Sequence, residues 1–186
     1  VTTTVKALKE KISSTAGKLH CNCGFWGGIV PGNEKEIEPM IGQGVLGFKA
    51  FLIDSGINEF SHVTEADLRK AMPVIAKHGL PLLVHCELAN YPMPPVQGDG
   101  RSYVNYLLSR PKKWEDDAIA LVIRLSEEFN CPVHIVHLSS ADSLEQIIKA
   151  KKKGLPLTVE TGQHYLYFHA EGIGDGQTTL KCAPPI

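Results

Sequence analysis

The chain lacks a dominant charge, a long apolar run and any phosphate-cradling motif. Nineteen Lys and Arg face twenty Asp and Glu, for a formal net charge of -1. No Lys/Arg stripe runs along the chain, so neither nucleic acid nor an anionic membrane surface is indicated as a partner. No stretch of about 18 apolar residues occurs, and no membrane span is expected. No GxGxxG follows an apolar run and no GxxxxGK[ST] is present, which gives nucleotide binding little support. Cysteine is odd in number, with Cys21, Cys23, Cys86, Cys131 and Cys182, and nothing reads as a secretory signal. A disulfide framework is therefore not implied, and a reducing, cytoplasmic setting is the default expectation. Cys21 and Cys23 are spaced too closely for a zinc knuckle and read as buried or half-buried strand thiols. The densest basic run, KAKKK at 149–153, reads as a solvated helix end where lysines suit the dipole.

What is present is one domain's worth of core: 186 residues, 43% hydrophobic. Apolar runs near 19–23, 45–53, 81–87, 132–139 and 156–161 predict strands. Helical periodicity predicts helices over 3–16, 33–44, 64–79, 103–109, 114–129 and 140–154. Thr64 and Asp67 fit a capping box and Gly79 a C-cap. The Pro-, Gly- and Tyr-rich stretch 89–113 is expected to form an active-site loop around its short helix, and 163–186 reads mostly as loop. The strands are short and nearly continuous in apolar character, as a parallel sheet covered by helices requires. Two α/β folds meet that pattern: an open doubly wound sheet and part of a (β/α) barrel.

Three polar residues interrupt the strands. Lys49, His85 and His137 each fall near the C-terminal end of a predicted strand, the rim where a (β/α) barrel builds its site. Lys49 lies between Phe48 and Ala50, where a charged amine is costly to bury. It could pair with a carboxylate, act as a lowered-pKa nucleophile, add CO2 to become a metal-bridging carbamate, or snorkel from an edge strand. His134 and His137 are three apart, so strand alternation would send only one of them to the interior. His78 reads as a residue of a helix end, His62 and His169 as loop, His20 as the opening of a strand and His164 as following a strand end.

The motifs GFWGGIVPGN (24–33), GFKAFLIDSGINEF (47–60), LLVHCE (82–87), SRPKKWEDDAI (109–119), VHIVHLSSADS (133–143), ETGQHYLYF (160–168) and KCAPPI (181–186) occur in order along the whole chain. In this the chain resembles the allantoinase family, within the amidohydrolase superfamily that also holds dihydroorotase and hydantoinase. The resemblance implies a (β/α)8 TIM barrel holding two divalent metal ions, usually zinc. It implies that Lys49 is the carboxylated bridging ligand and that His85 and His137, not His134, are ligands on the next two strands. It implies metal-assisted opening of a cyclic amide, allantoin to allantoate, with a hydantoinase-like ring hydrolase or a non-catalytic scaffold as alternatives. FLIDSG at 51–56 lacks the tyrosine that follows the lysine strand in hydantoinases, which favours the allantoinase branch. A small ureide is the implied partner, and a homo-oligomer, dimer or tetramer, is the implied assembly.

The chain departs from that family in two places. The His-x-His pair of the family's first strand is absent, and so is the aspartate of its last strand; Asp175 in GIGDG fits a loop. The chain opens without Met and stops at APPI, and both ends read as cut. Residues 1–186 are therefore expected to form one incomplete barrel domain of about five central βα units, missing the first strands and the last strand. Ser139 and Ser140 are expected to shape a loop, and Cys86 is expected to point away from the site.

Overall fold

Among the described residues, five short strands pair in chain order and all run parallel: β1 (Gly27–Gly28), β2 (Phe48–Phe51), β3 (Leu82–His85), β4 (Val133–Ile135) and β5 (Leu157–Val159). The computed structural model describes residues 1–90 and 99–186. Residues 91–98 of the expected active-site loop lie outside the described residues. Parallel neighbours need a crossover that returns the chain to the same end of the sheet. Helices α2 (Glu34–Gly42), α3 (Glu65–Lys77), α5 (Lys112–Phe129) and α6 (Leu144–Lys152) supply it. Helix α1 (Val5–Thr15) precedes the sheet, α4 (Tyr103–Ser109) lies before α5, and α7 (Gln163–Tyr167) follows β5. Strand order never reverses, so the units wind as in part of a (β/α)8 barrel and not as a doubly wound sheet.

Alternation along the strands divides the two faces. Phe48, Ala50, Leu82, Val84, Val133, Ile135 and Leu157 are buried in the core shared with Leu68, Met72 and Ile75 of α3 and Ile119, Val122 and Leu125 of α5. Lys49, Phe51, Leu83 and His134 point to the other face and are only partly buried. Helix α3 starts as expected: Asp67 N–H donates to Thr64 Oγ1 at 3.4 Å and Thr64 N–H to Asp67 Oδ2 at 2.9 Å. Helix α5 begins two residues before the expected 114, behind Pro111, whose fixed φ suits a helix entry. Among the described residues no helix is long and apolar enough to cross a membrane.

The first strand differs from expectation. Ladder contact begins only where Leu46 N–H meets Phe25 O, and β1 forms at Gly27–Gly28, not at 19–23. A Cβ on Gly27 would stand 2.6 Å from the Phe48 ring, so glycine is what lets β1 approach β2. Upstream of that contact Cys21 and Cys23 are exposed, with their sulfurs 3.7 Å apart. They are not buried or half-buried strand thiols, because no ladder holds that segment against the core. His20 is likewise exposed and opens no strand.

Two devices pin the C-terminal side of the sheet. The buried Glu115 carboxylate on α5 accepts the backbone N–H groups of Ser139 (2.9 Å) and Ser140 (2.7 Å). Asp116 accepts from the hydroxyls of Ser140 and Ser143. Ser139 and Ser140 thus shape a loop. Three hydroxyls then hold the final residues by their carbonyls: Tyr165 on Pro184 (2.7 Å), Ser139 on Pro185 (2.6 Å) and Tyr103 on Ile186 (3.3 Å). Asp175 sits in a loop, as expected, and accepts the Tyr103 N–H.

Two outcomes follow from these contacts. Thr64→Ala should lower stability by about 1 kcal/mol, read from denaturant unfolding, because it removes the α3 cap. Burial lifts the Glu115 carboxyl to about 7 from an ordinary 4.5, outweighing its two backbone N–H partners. A raised carboxyl contributes stability that is fully present below the unfolded value and is lost as pH rises through the folded one. Between pH 4 and 8 the chain should therefore lose up to about 3 kcal/mol relative to Glu115→Gln. A difference that stays flat over that range would mean that the carboxylate is ionised in the fold.

Candidate functional site

Lys49 lies within β2, His85 is the last residue of β3, and His137 stands two residues beyond β4. The register sets Phe51 opposite His85 and Lys49 opposite Leu83. The Phe51 ring stacks on His85 with centroids 5.1 Å apart, and Lys49 Nζ lies 4.8 Å over the same ring. His85 Nδ1 and His137 Nε2 meet at 3.0 Å, with the two rings 4.7 Å apart. Lys49 and His85 thus share the Phe51 ring, and His137 meets His85, toward the C-terminal ends of the strands.

His137 reaches this point through its backbone. Its φ is 43°, a left-handed conformation that few non-glycine residues adopt. The regular ladder stops at Ile135, and Leu138 N–H bonds Glu160 O instead. Alternation breaks there, so His134 and His137 both serve the inner face. The expectation that only one of them could do so is corrected. His134 sits deeper, bonded to Thr158 Oγ1 at 2.7 Å, and lines a hollow with Trp26, Leu83 and Glu160.

Burial shifts all three groups of this cluster toward their neutral forms. Burial lowers Lys49 to about 8, so roughly a tenth of the amine is neutral at pH 7. Among the described residues Lys49 makes no ion pair. Burial lowers His85 and brings His137 to about 4, with the nearby charges of His85 and Lys49 adding to the second shift. Both imidazoles are neutral at physiological pH, the form in which they bind metals.

Two features outside the expected set complete the site. Glu87, 2% exposed, bonds His85 Nε2 at 2.6 Å and takes both Nε (3.0 Å) and Nη2 (2.6 Å) of Arg110. Glu87 and Arg110, with Glu115, Ser139 and Pro185, line a hollow of about 300 Å³ whose lining does not include Lys49, His85 or His137. Glu87 was legible in principle, since it stands two residues after His85 in LLVHCE. Arg110 lies in a loop and carries no such signal. Elsewhere, His78 caps α3 and pairs with Glu38 at 2.9 Å, His164 packs on Tyr165 in α7, and His62 lines a separate hollow. Cys86 turns into the core as expected, where burial pushes its thiol far up.

The residues fit a divalent cation. Tetrahedral zinc with bonds of about 2.0–2.1 Å holds two nitrogens about 3.3 Å apart, close to the 3.0 Å between His85 Nδ1 and His137 Nε2. Among the described residues no three His, Cys, Asp or Glu groups converge as a ready-made site. The other basic side chain near this point is Lys49, whose Nζ lies over the Phe51 ring that stacks on His85.

No family model matches the chain. It is 43% identical over 185 residues to the allantoinase of Streptomyces avermitilis, covering all of this chain and 42% of that protein. It is 44% identical over 185 residues to the mitochondrial allantoinase of Aquarana catesbeiana, covering all of this chain and 38% of that protein. Among solved structures, the L-hydantoinase (dihydropyrimidinase) from Arthrobacter aurescens matches with a TM-score of 0.81 at 28% identity, over 91% of this chain and 39% of that one. A D-hydantoinase matches with a TM-score of 0.82 at 26% identity, over 98% of this chain and 42% of that one. The chain spans about two fifths of the length of these allantoinases. From end to end it is allantoinase-like in sequence, and its five βα units carry the barrel fold of the hydantoinases in the amidohydrolase superfamily.

Proposed function

We propose that this chain carries the lysine side of a two-metal centre in a cyclic amidohydrolase that opens the ring of allantoin to give allantoate. The observation that carries the reading is the convergence of His85 Nδ1 and His137 Nε2 at 3.0 Å on the strand rim beside Lys49. In this reading Lys49, His85 and His137 are ligands, and zinc is the first metal to test, given its affinity for imidazole. The neutral Lys49 amine attacks CO2, an N–C bond forms, a proton leaves to solvent, and a carbamate anion results. The lowered Lys49 pKa favours that step by raising the neutral fraction.

Bound divalent ions would supply hydroxide at neutral pH and stabilise negative charge on an amide carbonyl oxygen. The chain's own residues contribute neutral donors, a fixed orientation for His85, and an inner face open to a small polar ureide. Because the chain spans about two fifths of its allantoinase relatives, the reading assigns the His-x-His pair and the last-strand aspartate to sequence outside these 186 residues. A reducing compartment, with the cytoplasm as the default, suits the five free thiols. A homodimer or tetramer is the assembly this reading expects.

The test counts metal by plasma mass spectrometry on the protein carrying this chain, supplied with zinc and bicarbonate, and compares allantoin with hydantoin turnover. Loss of an outer partner of a ligand typically costs about 10–100-fold, so Lys49→Ala, His85→Ala and His137→Ala should each cut allantoin turnover by more than about a hundredfold. Faster opening of hydantoin than of allantoin would move the substrate to the hydantoinase side. Undiminished metal content and turnover in Lys49→Ala would sink the proposed centre.

A further inference from the structure

His85 engages both of its ring nitrogens. Nδ1 faces His137 Nε2, and Nε2 lies 2.6 Å from Glu87 Oε2. An ionised carboxylate only accepts hydrogen bonds, so Nε2 must carry the proton and the lone pair of the neutral ring falls on Nδ1. Arg110 holds that carboxylate with two nearly parallel bonds, one to each oxygen. A fork of this kind fixes the plane of the carboxylate as well as its charge. A purely structural ion pair would be complete with Arg110 alone. The contact to His85 adds a directional constraint on the imidazole.

His137 has no such carboxylate: its buried Nδ1 makes no side-chain hydrogen bond among the described residues, so the constraint that Glu87 places on His85 has no counterpart there.

We propose that Glu87 and Arg110 are positioning residues: they hold His85 as the Nε2–H tautomer and turn its Nδ1 lone pair toward the point shared with His137 Nε2. The tautomer stands on the hydrogen-bond geometry. Only its consequence for zinc affinity rests on the reading of His85 as a ligand. Outer partners that orient a ligating histidine typically set metal affinity by about 10–100-fold.

The experiment uses two-bond proton–nitrogen correlation spectra of metal-free protein labelled with nitrogen-15 histidine at neutral pH, with His85 assigned by its loss in His85→Gln. Zinc affinity is measured in parallel by competition with a chromophoric chelator. The wild type should show the Nε2–H tautomer at His85. In Glu87→Gln the side chain can turn its NH2 toward the ring, so the Nδ1–H form should appear and zinc affinity should fall about 10–100-fold. Arg110→Lys keeps the charge and loses the fork, so it should show a smaller fall in affinity; it carries the test if circular dichroism shows Glu87→Gln unfolded. An Nδ1–H tautomer in the wild type overturns the proposal. So does a tautomer and zinc affinity unchanged in Glu87→Gln, or, where that variant is unfolded, in Arg110→Lys. A tautomer that switches in Glu87→Gln while the wild type takes up no stoichiometric zinc supports the positioning role and overturns the metal reading instead.

Discussion

A parallel ladder leaves no freedom of direction. Each strand must be entered from the same end, so every strand end that carries a functional side chain emerges at the same rim. The pairing of Phe51 with His85 sets the height of β2 against β3, and Val84 with Ile135 sets β3 against β4. Once those pairs form, Lys49 and His85 can diverge only by how far each lies along its strand, and the left-handed φ beyond β4 brings His137 to His85. The apolar partners of α3 and α5 on the opposite face hold that register, because a slip of one residue would exchange core and site.

Burial then decides what the rim can bind. Three potential cations lie within one cluster, and desolvation pulls all three toward neutrality. Glu87 faces the cluster but is already matched by Arg110. The result is two neutral imidazoles beside an amine that is still mostly protonated at pH 7, a surrounding with less positive charge than a crowd of ammonium and imidazolium groups would have.

Much of this was legible in the chain itself. Short continuous apolar runs between helical patterns indicate a parallel sheet, and Thr64 with Asp67 marks the start of α3. Lys49 stood out because a lysine between Phe48 and Ala50 is anomalous. The failures have physical causes. The run 19–23 looks like a strand, yet pairing waits for Gly27, where the missing side chain admits the Phe48 ring. Close approach is a property of two segments together, and a local pattern does not contain it. The placement of both His134 and His137 on the inner face depends on a left-handed φ at a histidine, which no propensity announces. Arg110 comes to Glu87 from 23 residues away through a loop, a proximity that only the tertiary fold creates.

The clasp over the last residues has an evolutionary corollary. Tyr165, Ser139 and Tyr103 grip consecutive main-chain oxygens, not the side chains that those residues bear. Pro184 and Pro185 are buried as well, so the contact is exacting about the three hydroxyls and about the prolines that they hold. Across related sequences, the three hydroxyls and the proline pair should therefore be kept together. Phenylalanine at 103 or 165, or alanine at 139, would release a grip that no change in the segment itself could restore.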